Sequence, residues 1–181
     1  MKFTETELPG AWFVDVEPHS DERGFFARTW CRREFEEHGI DSDFVQASVS
    51  YNRVAGTLRG MHFQRAPFDE TKLVRCVSGA IYDVIVDLRR EGATFGRWLG
   101  VELSAANRRA LLVPKGFAHG FVTLTDNAEV FYQISAFYTP GHAGGLRYDD
   151  PALSIEWPVP IRVINDKDRS WPDFASLTDD A

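Results

Sequence analysis

Cysteine is nearly missing from this chain: Cys31 and Cys76 are the only two among 181 residues. A disulfide-stapled scaffold is not expected, since a single bridge is an unusual framework for a domain of this size. Neither cysteine has the spacing of a metal motif, and both read as free thiols. Long apolar runs are missing too. None approaches the ~20 residues needed to cross a membrane, and the opening MKFTETELPG lacks the apolar core of a signal peptide. A basic stripe or tail is also lacking, and the net charge is −7. That speaks against a nucleic-acid partner. It leaves a nucleotide ligand open, because a few arginines in a cleft can hold a diphosphate on an acidic protein. No His-x-His pair, internal repeat or low-complexity segment occurs. The expectation from these absences is one cytoplasmic domain, residues 1–181, with no membrane partner and no nucleic-acid partner.

What is present is mostly strand. A short helix is predicted near Arg32 to His38, stopped by Gly39. Leu73 to Val77 runs into Ser78-Gly79, which reads as a hairpin turn leading to Ala80 to Leu88. Trp98 to Leu103, Ala110 to Val113, Gly120 to Leu124 and Glu129 to Tyr138 follow. Strands about ten residues apart, with turns between them, predict an all-β sandwich or barrel. The last stretch, rich in proline and tryptophan, is predicted to pack irregularly over that barrel.

Several polar residues lie where chemistry could use them. GTLRGMHFQ (Gly56 to Gln64) places an arginine and a histidine three residues apart in a predicted strand, with glycines on both sides. Strict alternation puts Arg59 and His62 on opposite faces. A bulge at the glycines would turn both inward. Arginine's planar fork suits phosphate, and histidine is a general base near neutral pH. Without support from elsewhere, an exposed arginine and a core histidine remain the simpler reading. Pro114-Lys115-Gly116-Phe117-Ala118-His119 resembles the second half-motif of cupin barrels. The first half-motif of metal-binding cupins supplies a close histidine pair, and here that region offers only His62. Three or four ligands are therefore not assembled, and metal binding is not expected. Lys72 opens the LVRCV strand, where it either stabilises an enolate or is a solvated strand end. Asp83 and Asp87 share one face of AIYDVIVDL, and a buried aspartate there needs a partner such as a histidine. Tyr132 is either a proton donor or an ordinary strand tyrosine. Asn165-Asp166-Lys167-Asp168 reads as a solvated turn.

Taken in order, DERGFF (Asp21 to Phe26), TLRGMHFQ, KLVRCVSGAIYDVIVDLR (Lys72 to Arg89), VPKGFAHGF (Val113 to Phe121), YDDPALSIEWP (Tyr148 to Pro158) and Lys167-Asp168 resemble the dTDP-4-dehydrorhamnose 3,5-epimerase family. The resemblance spans about Leu8 to Pro172. It implies a cupin-type β-jelly roll with short peripheral helices, a homodimer, and chemistry without metal or organic cofactor. The implied substrate is a nucleotide-diphospho-4-keto-6-deoxy sugar, whose C3 and C5 hydrogens flank the ketone. By resemblance His62 is the base, Asp168 orients it, Lys72 and His119 stabilise the enolate oxygen, and Tyr132 returns a proton on the opposite face. Arg23 and Arg59 bind the diphosphate. Gln46, Ser48 and Arg28 belong to the nucleotide region. Arg28 stands where many members have glutamate, and Ala47-Ser48 stands where many have asparagine, so the nucleotide base stays open. So do a single-centre 3- or 5-epimerase, a ketoisomerase, and a non-catalytic sugar-nucleotide-binding cupin. A metal-dependent cupin oxygenase is disfavoured by the missing histidine pair.

Overall fold

The computed structural model describes residues 1–41 and 43–177. The chain begins with β1 (Lys2–Glu5) and β2 (Trp12–Asp15), then a small hairpin of β3 (His19–Asp21) and β4 (Gly24–Phe26). Helix α1 (Arg32–Glu36) precedes β5 (Gln46–Asn52), β6 (Leu58–Gln64), β7 (Lys72–Ser78) and β8 (Ala80–Asp87). Then come β9 (Trp98–Ser104), β10 (Ala110–Val113), β11 (Phe117–Thr123), β12 (Ala128–Ile134) and β13 (Ala143–Gly145), with a short helix α2 (Asp166–Arg169) near the end. A six-stranded sheet, in the order β1-β2-β10-β7-β12-β5, faces a five-stranded one, β13-β6-β11-β8-β9. All strand pairs in both sheets are antiparallel. This is the jelly-roll arrangement of the cupins.

Alternation explains the core. On β8, Ile81, Asp83, Ile85 and Asp87 point between the sheets, as the shared face of the two aspartates predicts. Tyr82, Val84 and Val86 point outward. β-Branched residues at alternate positions suit such a two-sided buried strand. Val74, Cys76, Leu111, Phe121 and Val130 complete the interior cluster. The outer face of the five-stranded sheet is covered by Leu146, Leu153, Ile155, Trp157 and Phe174. This is the irregular C-terminal covering foreseen from the proline and tryptophan content. Helix α1 seals one end of the other sheet by burying Phe35 against Phe3, edge to face at 5.0 Å.

The structure corrects three expectations. Ser78-Gly79 is not a hairpin: β7 and β8 belong to different sheets, so this turn carries the chain across the sandwich. Gly79 makes the crossing possible, with φ +71 and no room for a Cβ against Thr125 and Ala128. The helix ends at Glu36, followed by a turn through Gly39. The segment Asn165 to Asp168 is solvated as expected except at Asp168. The Asn165 side chain caps α2 by accepting from the Asp168 amide at 2.6 Å, and Asp168 itself is only 1% exposed. One carboxylate of a polar, exposed segment therefore turns inward because it has partners waiting inside.

Candidate active site

β6 is bulged. His62 pairs with His119 on β11, but Arg59 pairs with Phe121, so two residues on β6 oppose one on β11. The extra residue sends Met61 into the outer cluster and turns both Arg59 and His62 toward the space between the sheets. Glycines permit it. Gly60 has φ +122, and a Cβ there would lie 2.6 Å from the Gly120 Cα. The inward turn considered for these two residues is thus the observed one.

The space they face is a cavity of about 450 Å³ at one end of the sandwich. His62 and His119 enter it from the five-stranded sheet, and Lys72 and Tyr132 from the other. Gln46 and Ser48 line it from β5, where Ser48 pairs directly with Tyr132.

The His62 ring hydrogen-bonds through Nε2 to Asp168 Oδ1 at 2.6 Å. Asp168 Oδ2 accepts from the Gly60 amide at 3.1 Å, so the bulge and the acid brace one another. Burial pushes the Asp168 carboxyl up, but hydrogen bonds from His62 and Gly60, with the charge of His62, more than offset it. The net direction is down. In the neutral ring, Nε2 donating to an ionised Asp168 leaves Nδ1 as the nitrogen that can accept a proton; once it has done so, Asp168 faces the imidazolium. A second pair stands beside the first: His119 Nε2 lies 2.8 Å from Asp83 Oδ1, with both residues buried. Here is the histidine partner that a buried Asp83 requires. Burial, reinforced by the Asp83 charge, pushes the Tyr132 phenol strongly up, so it stays protonated across the neutral range. Arg59 donates to Asn52 Oδ1 at 2.7 Å and to the Tyr51 carbonyl at 3.3 Å, which holds its fork at the cavity wall.

Not every expected residue is at this cavity. Arg23 lies on the exposed β3–β4 hairpin, paired with Asp21 at 2.5 Å. Arg28 pairs with Glu34 at 2.7 Å and is also exposed. Neither lines the cavity within its own chain: the hairpin forms a separate two-stranded sheet, and its Phe25 ring packs under the Arg108 guanidinium. Sequence reasoning also missed residues that do line it: Gln64, Glu70, Tyr138, Lys167 and Trp171. Gln64 had a signal, since alternation from His62 puts it on the same face. Trp171 and Tyr138 carried none that separates a cavity wall from ordinary packing. Both cysteines are free, and burial pushes the Cys76 thiol up to about 11.

A family model described as dTDP-4-dehydrorhamnose 3,5-epimerase matches residues 5–176. A protein of that name from Methanothermobacter thermautotrophicus is 43% identical over 174 residues, covering 94% of this chain and 93% of the relative. The crystal structure of dTDP-4-dehydrorhamnose 3,5-epimerase from Bacillus anthracis str. Ames, with TDP and PPi bound, superposes with a TM-score of 0.92. It shares 45% identity, covering 95% of this chain and 98% of that one. A dTDP-6-deoxy-D-glucose-3,5-epimerase from Legionella pneumophila, in complex with dTDP-4-keto-L-rhamnose, also gives 0.92. Its identity is 35%, over 98% and 94% of the two chains.

Proposed function

The chain belongs to the dTDP-4-dehydrorhamnose 3,5-epimerase family, and we propose that it inverts C3 and C5 of dTDP-4-dehydro-6-deoxyglucose at this cavity. It is an epimerase, and the observation that carries the assignment of its parts is the His62–Asp168 pair opening onto a cavity shared with Lys72, Tyr132 and Arg59.

The steps follow from the chemistry of the groups. His62 Nδ1 takes the proton from the carbon next to the ketone, and the C–H electron pair moves into an enolate with its charge on O4. Asp168 stabilises the imidazolium that forms and keeps the ring aimed. The Lys72 ammonium donates to O4, helped by His119 on its Asp83 support. Tyr132 then gives its proton to the carbon from the other face, which inverts the centre. The phenolate recovers a proton through solvent as His62 releases the one it took, so the enzyme ends as it began. Arg59 grips the diphosphate, and Gln46 and Ser48 face the nucleotide. A volume of about 450 Å³ is in the range of small-molecule sites.

The reading extends to a homodimer in the cytoplasm. Val49, Tyr51 and Val77 are 60%, 49% and 46% exposed on the outer face of the six-stranded sheet, and Phe26 on the β3–β4 hairpin is 78% exposed. Exposed apolar side chains of this kind suit a second copy. In such a dimer the exposed Arg23 and Arg28 can exchange their Asp21 and Glu34 partners to serve a neighbouring cavity. Free cysteines suit a reducing compartment. Among the described residues, no helix is long and apolar enough to cross a membrane.

The test is proton NMR with dTDP-4-dehydro-6-deoxyglucose in deuterium oxide. Loss of both the C3 and C5 signals is expected. Loss of one would reassign the protein as a single-centre epimerase, and loss of neither would overturn the assignment.

A further inference from the structure

Lys72 does not stand alone in the cavity. Its Nζ lies 2.9 Å from Glu70 Oε1, and the two side chains are only 10% and 12% exposed. The other carboxylate oxygen, Oε2, accepts from Gln64 Nε2 at 2.8 Å. The orientation of Gln64 is fixed in turn. Its Oε1 accepts from the Thr139 amide at 2.8 Å, and its Nε2 also donates to the Phe68 carbonyl at 3.0 Å. The carboxamide cannot be reversed without facing a donor with a donor and an acceptor with an acceptor. A backbone-anchored amide therefore holds a carboxylate, and the carboxylate holds the ammonium.

A lysine left to itself has a flexible four-carbon stem and samples many rotamers. Catalysis needs the ammonium fixed where charge develops, not swinging through the cavity. Glu70 takes one of the three N–H donors of Lys72 and leaves two for the substrate. We propose that Glu70, set by Gln64, is a positioning residue that fixes the Lys72 ammonium against the developing O4 oxyanion. This role rests on the epimerase reading above. It also links the cavity to the segment after β12, because the same Gln64 pins the backbone at Thr139 next to the cavity-lining Tyr138.

The test is a double-mutant cycle on solvent deuterium exchange, with Glu70→Ala, Lys72→Met and the two combined. Glu70→Ala is expected to lower kcat about 10- to 100-fold. KM and dTDP affinity by calorimetry should stay within about twofold. Glu70 acts only through Lys72 in this account, so the double variant should lose no more than Lys72→Met alone. A double loss equal to the product of the single losses would overturn the role, as would a Glu70→Ala effect confined to KM. Glu70→Gln keeps the side-chain volume and runs the same cycle if the alanine variant does not fold. Unsubstituted protein is the control: exchange there with additive losses defeats the positioning role alone, whereas no exchange there defeats the epimerase reading and this role with it.

Discussion

Asp168 and His62 are 106 positions apart in the chain and 2.6 Å apart in space. The contact joins a helix-capped turn near the C-terminus to the bulged strand β6, and the same carboxylate holds the Gly60 amide within that bulge. One residue thus sets both the tautomer of the base and the strand geometry that aims it.

His62→Ala is expected to abolish exchange at both C3 and C5, a loss of at least 10²–10⁴-fold, with dTDP binding nearly unchanged. Exchange rates by NMR beside calorimetric affinity check it. Exchange retained at either carbon would remove His62 as the sole base.

Tyr132→Phe should spare exchange more than inversion, because His62 can still remove and return a proton on one face. Exchange and product stereochemistry followed in one NMR sample will show it. Equal loss of both would count against an opposite-face donor.

Gly60→Ala should destabilise the fold and reduce activity together. The added Cβ meets backbone at 2.6 Å, and φ +122 is strained for any L side chain. A loss on the order of 1–3 kcal/mol is expected from denaturant unfolding. Retained stability with full activity would mean that the bulge relaxes without disturbing Arg59 or His62.

Stability should fall on acidification. Burial raises the Asp87 carboxyl, but Arg89 and Thr94 hydrogen-bond it and the net direction is down, as it is for Asp168. A carboxylate with a depressed folded value stabilises the fold in full above its unfolded value. That contribution is lost as pH falls through the folded one. The unfolding midpoint should therefore drop below about pH 5, and more shallowly in Asp87→Asn. Asp87 is the suitable probe because it is buried away from the cavity lining. An unchanged slope in that variant would exclude Asp87 as a source of the acid sensitivity.

Val49→Asp puts a charge on the exposed outer face of the six-stranded sheet. Sedimentation should find the unsubstituted protein dimeric and this variant monomeric. An unsubstituted monomer would rule out the dimer, and a dimeric variant would place its interface elsewhere.

Much of the fold was legible because period-two alternation is a local property. Ala80 to Leu88 shows it plainly, with two aspartates on one face and valines on the other. The strands before Gly56 and the true partners of β7 were not legible, because pairing is decided between distant segments. Ser78-Gly79 has the residues of a hairpin turn and serves instead as a crossing between sheets. Local turn chemistry fixes the bend and leaves the destination of the chain open.

The same division runs through the cavity. The sequence alone determined the reactive groups and their grouping into motifs: an arginine and a histidine among glycines, a lysine opening a strand, a histidine after a Pro-x-Gly turn. Only the tertiary structure decided which of these share a space. It brought Asp168 inward from a polar turn, left Arg23 on an exposed hairpin, and set Glu70 and Gln64 behind Lys72. The reason is physical. A buried carboxylate is stable only beside donors that pack against it, and those donors come from strands far away in the chain.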